Sequence, residues 1–185
     1  MKKVAIILAE GYEEIEAVAP IDILRRAGVE VIIAGLSKEP VASARNLKIL
    51  PDVTLDELNA DELEMVIIPG GSGGVERIKN DQRAKDLLDK MQQKGAYIGA
   101  ICAGPTTLES FKMLQGRKIT LYPALVSEIK SASVSLDSSV VEDGNIITSQ
   151  GPGTALEFSL KLAEKLVGKE VAKQVAEKML INFES

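Results

Sequence analysis

Tyr97-Ile98-Gly99-Ala100-Ile101-Cys102-Ala103-Gly104-Pro105 is an apolar, strand-like run that breaks into small residues just before a helical pattern begins. A nucleophile at a sharp strand-to-helix turn needs small neighbours, and Ala100, Ala103 and Gly104 flank Cys102 in that way. Just upstream, Asp81 to Lys94 reads as an amphipathic helix. Ala84, Leu87, Leu88 and Met91 recur at i, i+3, i+4 and i+7, and Gly95 stops the pattern. Working outward, short apolar runs return at Val4 to Ala9, Val29 to Ala34 and Met65 to Ile68, mostly separated by amphipathic stretches. Strands that are apolar on both sides are covered on both faces. The pattern therefore predicts an α/β fold with a doubly wound, mainly parallel sheet and helices on both faces.

The rest of the chain is less sharply written. Asp52 to Glu64 is acidic and reads as a short helix plus connector, and Arg117 to Ser149 carries weak strand signals. The clearest of these is a hairpin, with Asp143-Gly144 between Val140-Val141 and Ile146-Ile147. Gly151-Pro152-Gly153-Thr154 opens a helical pattern through Phe158, Leu162, Ala163 and Leu166 that Gly168 ends, and a last helix runs over about Glu170 to Leu180. No repeat, Pro-rich linker or low-complexity stretch marks a boundary, so residues 1–185 read as one domain.

The net charge of −5, with no Lys/Arg cluster, argues against nucleic acid or an anionic membrane as partner. No apolar run approaches the roughly 20 residues needed to span a bilayer. Val4 to Ala9 is cut short by Glu10, which reads as a first buried strand rather than a signal peptide. A single cysteine forms no internal disulfide and suits a reducing, cytoplasmic setting.

The chain has no histidine, so any chemistry at Cys102 proceeds without the usual imidazole partner. Backbone amides, a helix N-terminus and a carboxyl group remain to lower the thiol pKa from about 8.5 into a range of roughly 3.5 to 7.5. Pro69-Gly70-Gly71-Ser72-Gly73-Gly74 follows another strand, and its glycines let N–H groups approach a bound oxygen as in an oxyanion hole. Its spacing fits neither a dinucleotide fingerprint nor a P-loop. After the first strand come Glu10, Glu13, Glu14 and Glu16, which read as solvated acids at a helix N-terminus. Glu16 stands apart, among Ile15, Ala17, Val18 and Ala19, but periodicity leaves its direction open. Buried, it would carry a raised pKa beside the thiol. All three segments follow strands on the same side of a parallel sheet, at the carboxyl ends where ligand sites form, and could converge at one cleft.

Leu8 to Glu16, Pro69-Gly70-Gly71, Ala100 to Pro105 and Thr148 to Thr154 together resemble the motifs of the ThiJ/PfpI superfamily, nearest its DJ-one branch, over the first strand to about Val175. The resemblance implies a flavodoxin-like homodimer with no metal or organic cofactor. It matches Cys102 to the reactive cysteine and Glu16 to its partner acid. Gly70, Gly71 and Ala103 match the amides lining the oxyanion pocket, and Arg26 and Arg45 match arginines approaching that pocket near the dimer interface. Tyr122 stands where many relatives have a histidine, which leaves a phenol with a reference pKa near 10 in place of an imidazole. Proteases and glutamine amidotransferases of the superfamily need a histidine, so neither activity is expected here.

The expected function is a cysteine-dependent glyoxalase or deglycase acting on methylglyoxal-like dicarbonyls, or on their early protein adducts, to give 2-hydroxy acids. The alternative is an oxidative-stress sensor or redox-regulated chaperone working through a Cys102 sulfinate, which Glu16 would stabilise by a short hydrogen bond.

Overall fold

The computed structural model describes residues 1–183. In chain order the elements are β1 (Lys3–Leu8), α1 (Glu14–Arg26), β2 (Glu30–Gly35), β3 (Val41–Ala42), β4 (Lys48–Ile49), β5 (Val53–Thr54), β6 (Met65–Ile68), α2 (Ser72–Lys79), α3 (Gln82–Gln93) and β7 (Tyr97–Ile101). They continue with α4 (Gly104–Ser110), β8 (Lys118–Ile119), β9 (Ser133–Val134), β10 (Val140–Asp143), β11 (Ile146–Ser149), α5 (Ala155–Val167) and α6 (Lys169–Lys178). Seven strands form the central sheet in the order β10-β11-β7-β6-β1-β2-β5. All neighbours are parallel except β10 and β11, which pair as the antiparallel hairpin that Asp143-Gly144 announces.

Successive side chains of a strand point to opposite faces, and here both faces are dry. Val4, Ile6 and Leu8 of β1 pack in one core with Ile23 and Leu24 of α1 and Phe158 and Leu162 of α5. Ala5, Ile7 and Ala9 pack in the other with Leu87, Leu88 and Met91 of α3 and Leu108 of α4. Each fully buried Ile or Leu contributes roughly 1.5–3 kcal/mol, so shifting β1 by one residue would exchange the two sets and gain nothing. The inner order β2-β1-β6-β7-β11 is the doubly wound, flavodoxin-like arrangement. Its connections diverge between β1 and β6, which opens a crevice at their carboxyl ends.

Two stretches differ from the sequence reading. Asp52 to Glu64 supplies an edge strand, β5, and two single 3-10 turns at Leu55–Glu57 and Ala60–Glu62 instead of a regular helix. The Thr54 and Glu57 side chains cap the first turn reciprocally, which holds it without α-helical continuation. The glycine run after β6 is shorter than it reads. Helix α2 begins at Ser72 and carries Gly73 and Gly74 in its first turn, where a Cβ on Gly74 would lie 3.0 Å from the Ala9 carbonyl oxygen. That close approach locks α2 against the loop leaving β1.

Candidate active site

Three loops meet at the crevice. The chain leaves β7 at Cys102 with φ +62°, a left-handed conformation that costs a side-chain-bearing residue about 1–3 kcal/mol. Backbone pairing on both sides holds the bend. Cys102 N–H donates to Ser149 O at 2.9 Å, and its carbonyl accepts the Tyr122 N–H at 3.1 Å. After β6, Gly71 takes φ +89°, and a Cβ there would sit 2.2 Å from Gly11 O, so only glycine fits between the two loops. After β1, α1 begins with Glu13 as its N-cap and projects Glu16 inward.

Glu16 is fully buried. The Gly70 N–H donates to its Oε2 at 2.7 Å, while Oε1 is buried without a hydrogen-bond partner. Burial pushes its pKa up to about 7, against the pull of the Gly70 N–H and the Cys102 thiol. Cys102 departs from the expectation of a lowered pKa. Burial, then the charge and hydrogen bond of Glu16, push the thiol up to about 12, while the Ala103 and Gly71 N–H groups pull it down. The physical reason is that thiol and carboxyl share one dry pocket that resists a second negative charge. The two groups act as a single acid that loses its first proton near neutrality and its second only in strong base.

Cys102 and Glu16 open on a cavity of about 680 Å³, also bordered by Gly71, Ala103, Tyr122 and Arg45. The Gly71 and Ala103 amides point at the sulfur. Gly70 has a different role from the one expected, because its N–H is committed to Glu16 and the oxyanion donors reduce to two. Within the chain, Arg26 does not border this cavity. It sits in the last turn of α1, ten residues or ~15 Å of helix from Glu16, and its Nε donates to both Asp22 carboxylate oxygens at 3.0 Å. It borders a small separate cleft against α6.

Glu13 and Glu14 are not the solvated acids they read as. Their side chains are only 13% and 15% exposed. Glu14 Oε1 accepts the Ser43 hydroxyl at 2.5 Å and the Arg45 N–H at 2.6 Å, and Glu13 Oε2 accepts Arg45 Nη1 at 2.7 Å. The acidic run thus pins the 43–47 loop across the cavity rim. No local sequence signal joins residues about thirty positions apart, although an acidic cluster at a strand's carboxyl end, with an arginine in the next loop, is compatible with it. Ser72, Leu125 and Pro152, also on the cavity wall, carried no role in the sequence reading. Among the described residues no three Cys, Asp or Glu side chains converge as metal ligands, and no helix is long and apolar enough to cross a membrane.

A cysteine on a strained bend beside the switch point of such a sheet defines a class: flavodoxin-like α/β proteins with a thiol at the nucleophile position. The chain belongs to the DJ-1/PfpI family, which matches residues 2–165. It is 42% identical over 184 residues to Protein dj-1beta of Drosophila melanogaster, covering 98% of each chain. It is 39% identical over 169 residues to the glutathione-independent glyoxalase DJR-1.2 of Caenorhabditis elegans, covering 90% of each. The crystal structure of Drosophila melanogaster DJ-1beta superposes with a TM-score of 0.96, over 98% of this chain and 99% of that one.

Proposed function

We propose that this protein is a cofactor-independent glyoxalase that converts methylglyoxal-like 2-oxoaldehydes to 2-hydroxy acids. The observation that carries the reading is the buried Glu16 carboxyl beside Cys102, with one oxygen unpartnered, at the floor of a cavity where two amides point at the sulfur. The relative named a glutathione-independent glyoxalase supports it, since Cys102 can supply the sulfur that an external thiol would otherwise bring.

The steps balance without an oxidant. Ionised Glu16 takes the Cys102 proton as sulfur bonds to the aldehyde carbon, and the carbonyl electron pair moves to oxygen, held by the Gly71 and Ala103 N–H groups. Glu16 passes its proton to that oxygen, then takes the proton from the former aldehyde carbon to leave an enediolate. Returning this proton to the adjacent carbon, with the hydroxyl proton moving between the two oxygens through solvent, gives the thioester of the 2-hydroxy acid. Water displaces the thiolate, which recovers its proton. One carbon is oxidised, its neighbour is reduced, and one water is consumed.

The base form of Glu16 starts the cycle, so kcat/KM rises with pH through about 7 and stays high well into the alkaline range. The test is lactate formation from methylglyoxal by purified protein without added thiol, followed from pH 5 to 9. No lactate, or a rate that falls across neutrality, rejects the proposal.

The same reading includes a homodimer. On α1, next to Glu16 in sequence, Ile15 and Val18 are 53% and 42% exposed, and with Leu156 they border a shallow apolar cleft. A second copy would cover this face. Sedimentation of the wild type at twice 19.8 kDa, and of Ile15→Glu/Val18→Glu as monomer, is the expected outcome; a monomeric wild type removes the dimer.

A further inference from the structure

We infer that the cavity is shaped for a 2-oxoaldehyde carrying a hydroxylated chain, a sugar-derived dicarbonyl, rather than for bare methylglyoxal; this rests on the glyoxalase reading and deepens it. Volume is the first argument. The cavity of about 680 Å³ is open to solvent at its mouth and leaves room beyond the few heavy atoms of methylglyoxal for the longer chain of a six-carbon deoxyosone.

The distribution of polar groups is the second argument. The reacting groups lie at the floor, where Glu16 is fully buried, and the polar side chains that the chemistry leaves unused lie toward the mouth. Tyr122 is 47% exposed, and neither its hydroxyl nor that of Ser72 has a hydrogen-bond partner among the described residues. Bordering the same cavity, the Glu13–Arg45 pair presents a carboxylate that accepts and a guanidinium that donates. A chain of hydroxyls matches all four groups. An alkyl or aryl chain would instead strip water from an ion pair and two hydroxyls without replacing those bonds.

The test is steady-state kinetics of the intact protein on methylglyoxal, 3-deoxyglucosone, phenylglyoxal and a methylglyoxal adduct on a lysine peptide, with rates referred to the open-chain aldehyde. Two or three net hydrogen bonds predict kcat/KM for 3-deoxyglucosone at least about tenfold above methylglyoxal, carried mainly by KM. Ser72→Ala and Tyr122→Phe, both at the rim, should each shrink that ratio about threefold or more. Equal or better use of methylglyoxal, phenylglyoxal or the peptide adduct overturns the inference and leaves the glyoxalase reading in place. An unchanged ratio in both variants overturns it as well. Turnover of none of the four removes the glyoxalase reading and this inference together.

Discussion

Cys102→Ser is expected to reduce methylglyoxal turnover at least about 10⁴-fold, and Glu16→Gln about 10²–10⁴-fold, because one removes the nucleophile and the other the base that frees it. Neither loss should come from unfolding. Serine leaves the backbone pairing of residue 102 with Ser149 and Tyr122 intact. Glutamine can still accept the Gly70 N–H through its amide oxygen. Glu16→Gln should even be more stable than the wild type at neutral and alkaline pH.

The sign of that stability change follows from the raised pKa. Below about 4.5 the carboxyl is protonated in folded and unfolded chains alike, so burial carries no charge penalty. Between 4.5 and about 7 the unfolded chain releases the proton while the folded one keeps it, and folding loses stability progressively. Above about 7 the loss is complete, at about 3 kcal/mol for a shift of this size. An amide has no such penalty. Thermal unfolding of wild type and Glu16→Gln should coincide near pH 4 and diverge by pH 8, with the inactive variant the more stable. Curves that run parallel over that range would show that Glu16 does not hold its proton as described.

Much of the fold could be read because two dry faces leave a mark in every strand. Val4 to Ala9, Met65 to Ile68 and Tyr97 to Ile101 are apolar without alternation, and each is a strand or runs one residue past one. The Asp81 to Lys94 helix is α3 with Asp81 as its N-cap, accepting the Arg83 N–H. What escaped the sequence depends on contacts between distant segments. Two-residue strands such as β5 are defined by their partner, here Ala34 and Gly35 of β2, and carry no periodicity of their own.

The site divides in the same way. The bend at Cys102 was legible because small residues and a strand-to-helix change are local. The burial of Glu16 was not, since Ile15 and Val18 beside it are exposed and hydrophobicity along α1 does not single it out. The raised thiol pKa follows first from burial of the thiol itself and then from that carboxyl. A helix start and two amides favour the thiolate, and desolvation with Glu16 alongside outweighs them. Glu13 and Glu14 resemble ordinary first-turn acids until the 43–47 loop folds back over them.

Gly70→Ala perturbs this pairing while leaving the chemistry of both reacting side chains unchanged. Gly70 is not among the positive-φ residues, so alanine meets no backbone strain and the effect is steric. Its Cβ would lie 2.5 Å from Glu16 Oε2, 2.7 Å from Cys102 Cβ and 3.1 Å from the Ala103 nitrogen. The last two are fixed by the elbow, so the flexible Glu16 side chain is the one that moves. Displacement breaks the Gly70 N–H bond and carries the carboxyl away from the thiol. Overpacking of this kind costs about 1–3 kcal/mol of stability, and loss of proton transfer should lower kcat/KM about 10²-fold or more. With the carboxyl gone from its side, the thiol keeps its burial but loses the charge and the hydrogen bond of Glu16 that also raise its pKa, so alkylation of Cys102 by iodoacetamide at pH 8 should quicken even as turnover falls. Gly153→Ala, whose added methyl meets nothing within 4 Å, is the matched control. A Gly70→Ala protein that keeps wild-type turnover and an ascending pH limb near 7 would mean that Glu16 and Cys102 do not work as a pair.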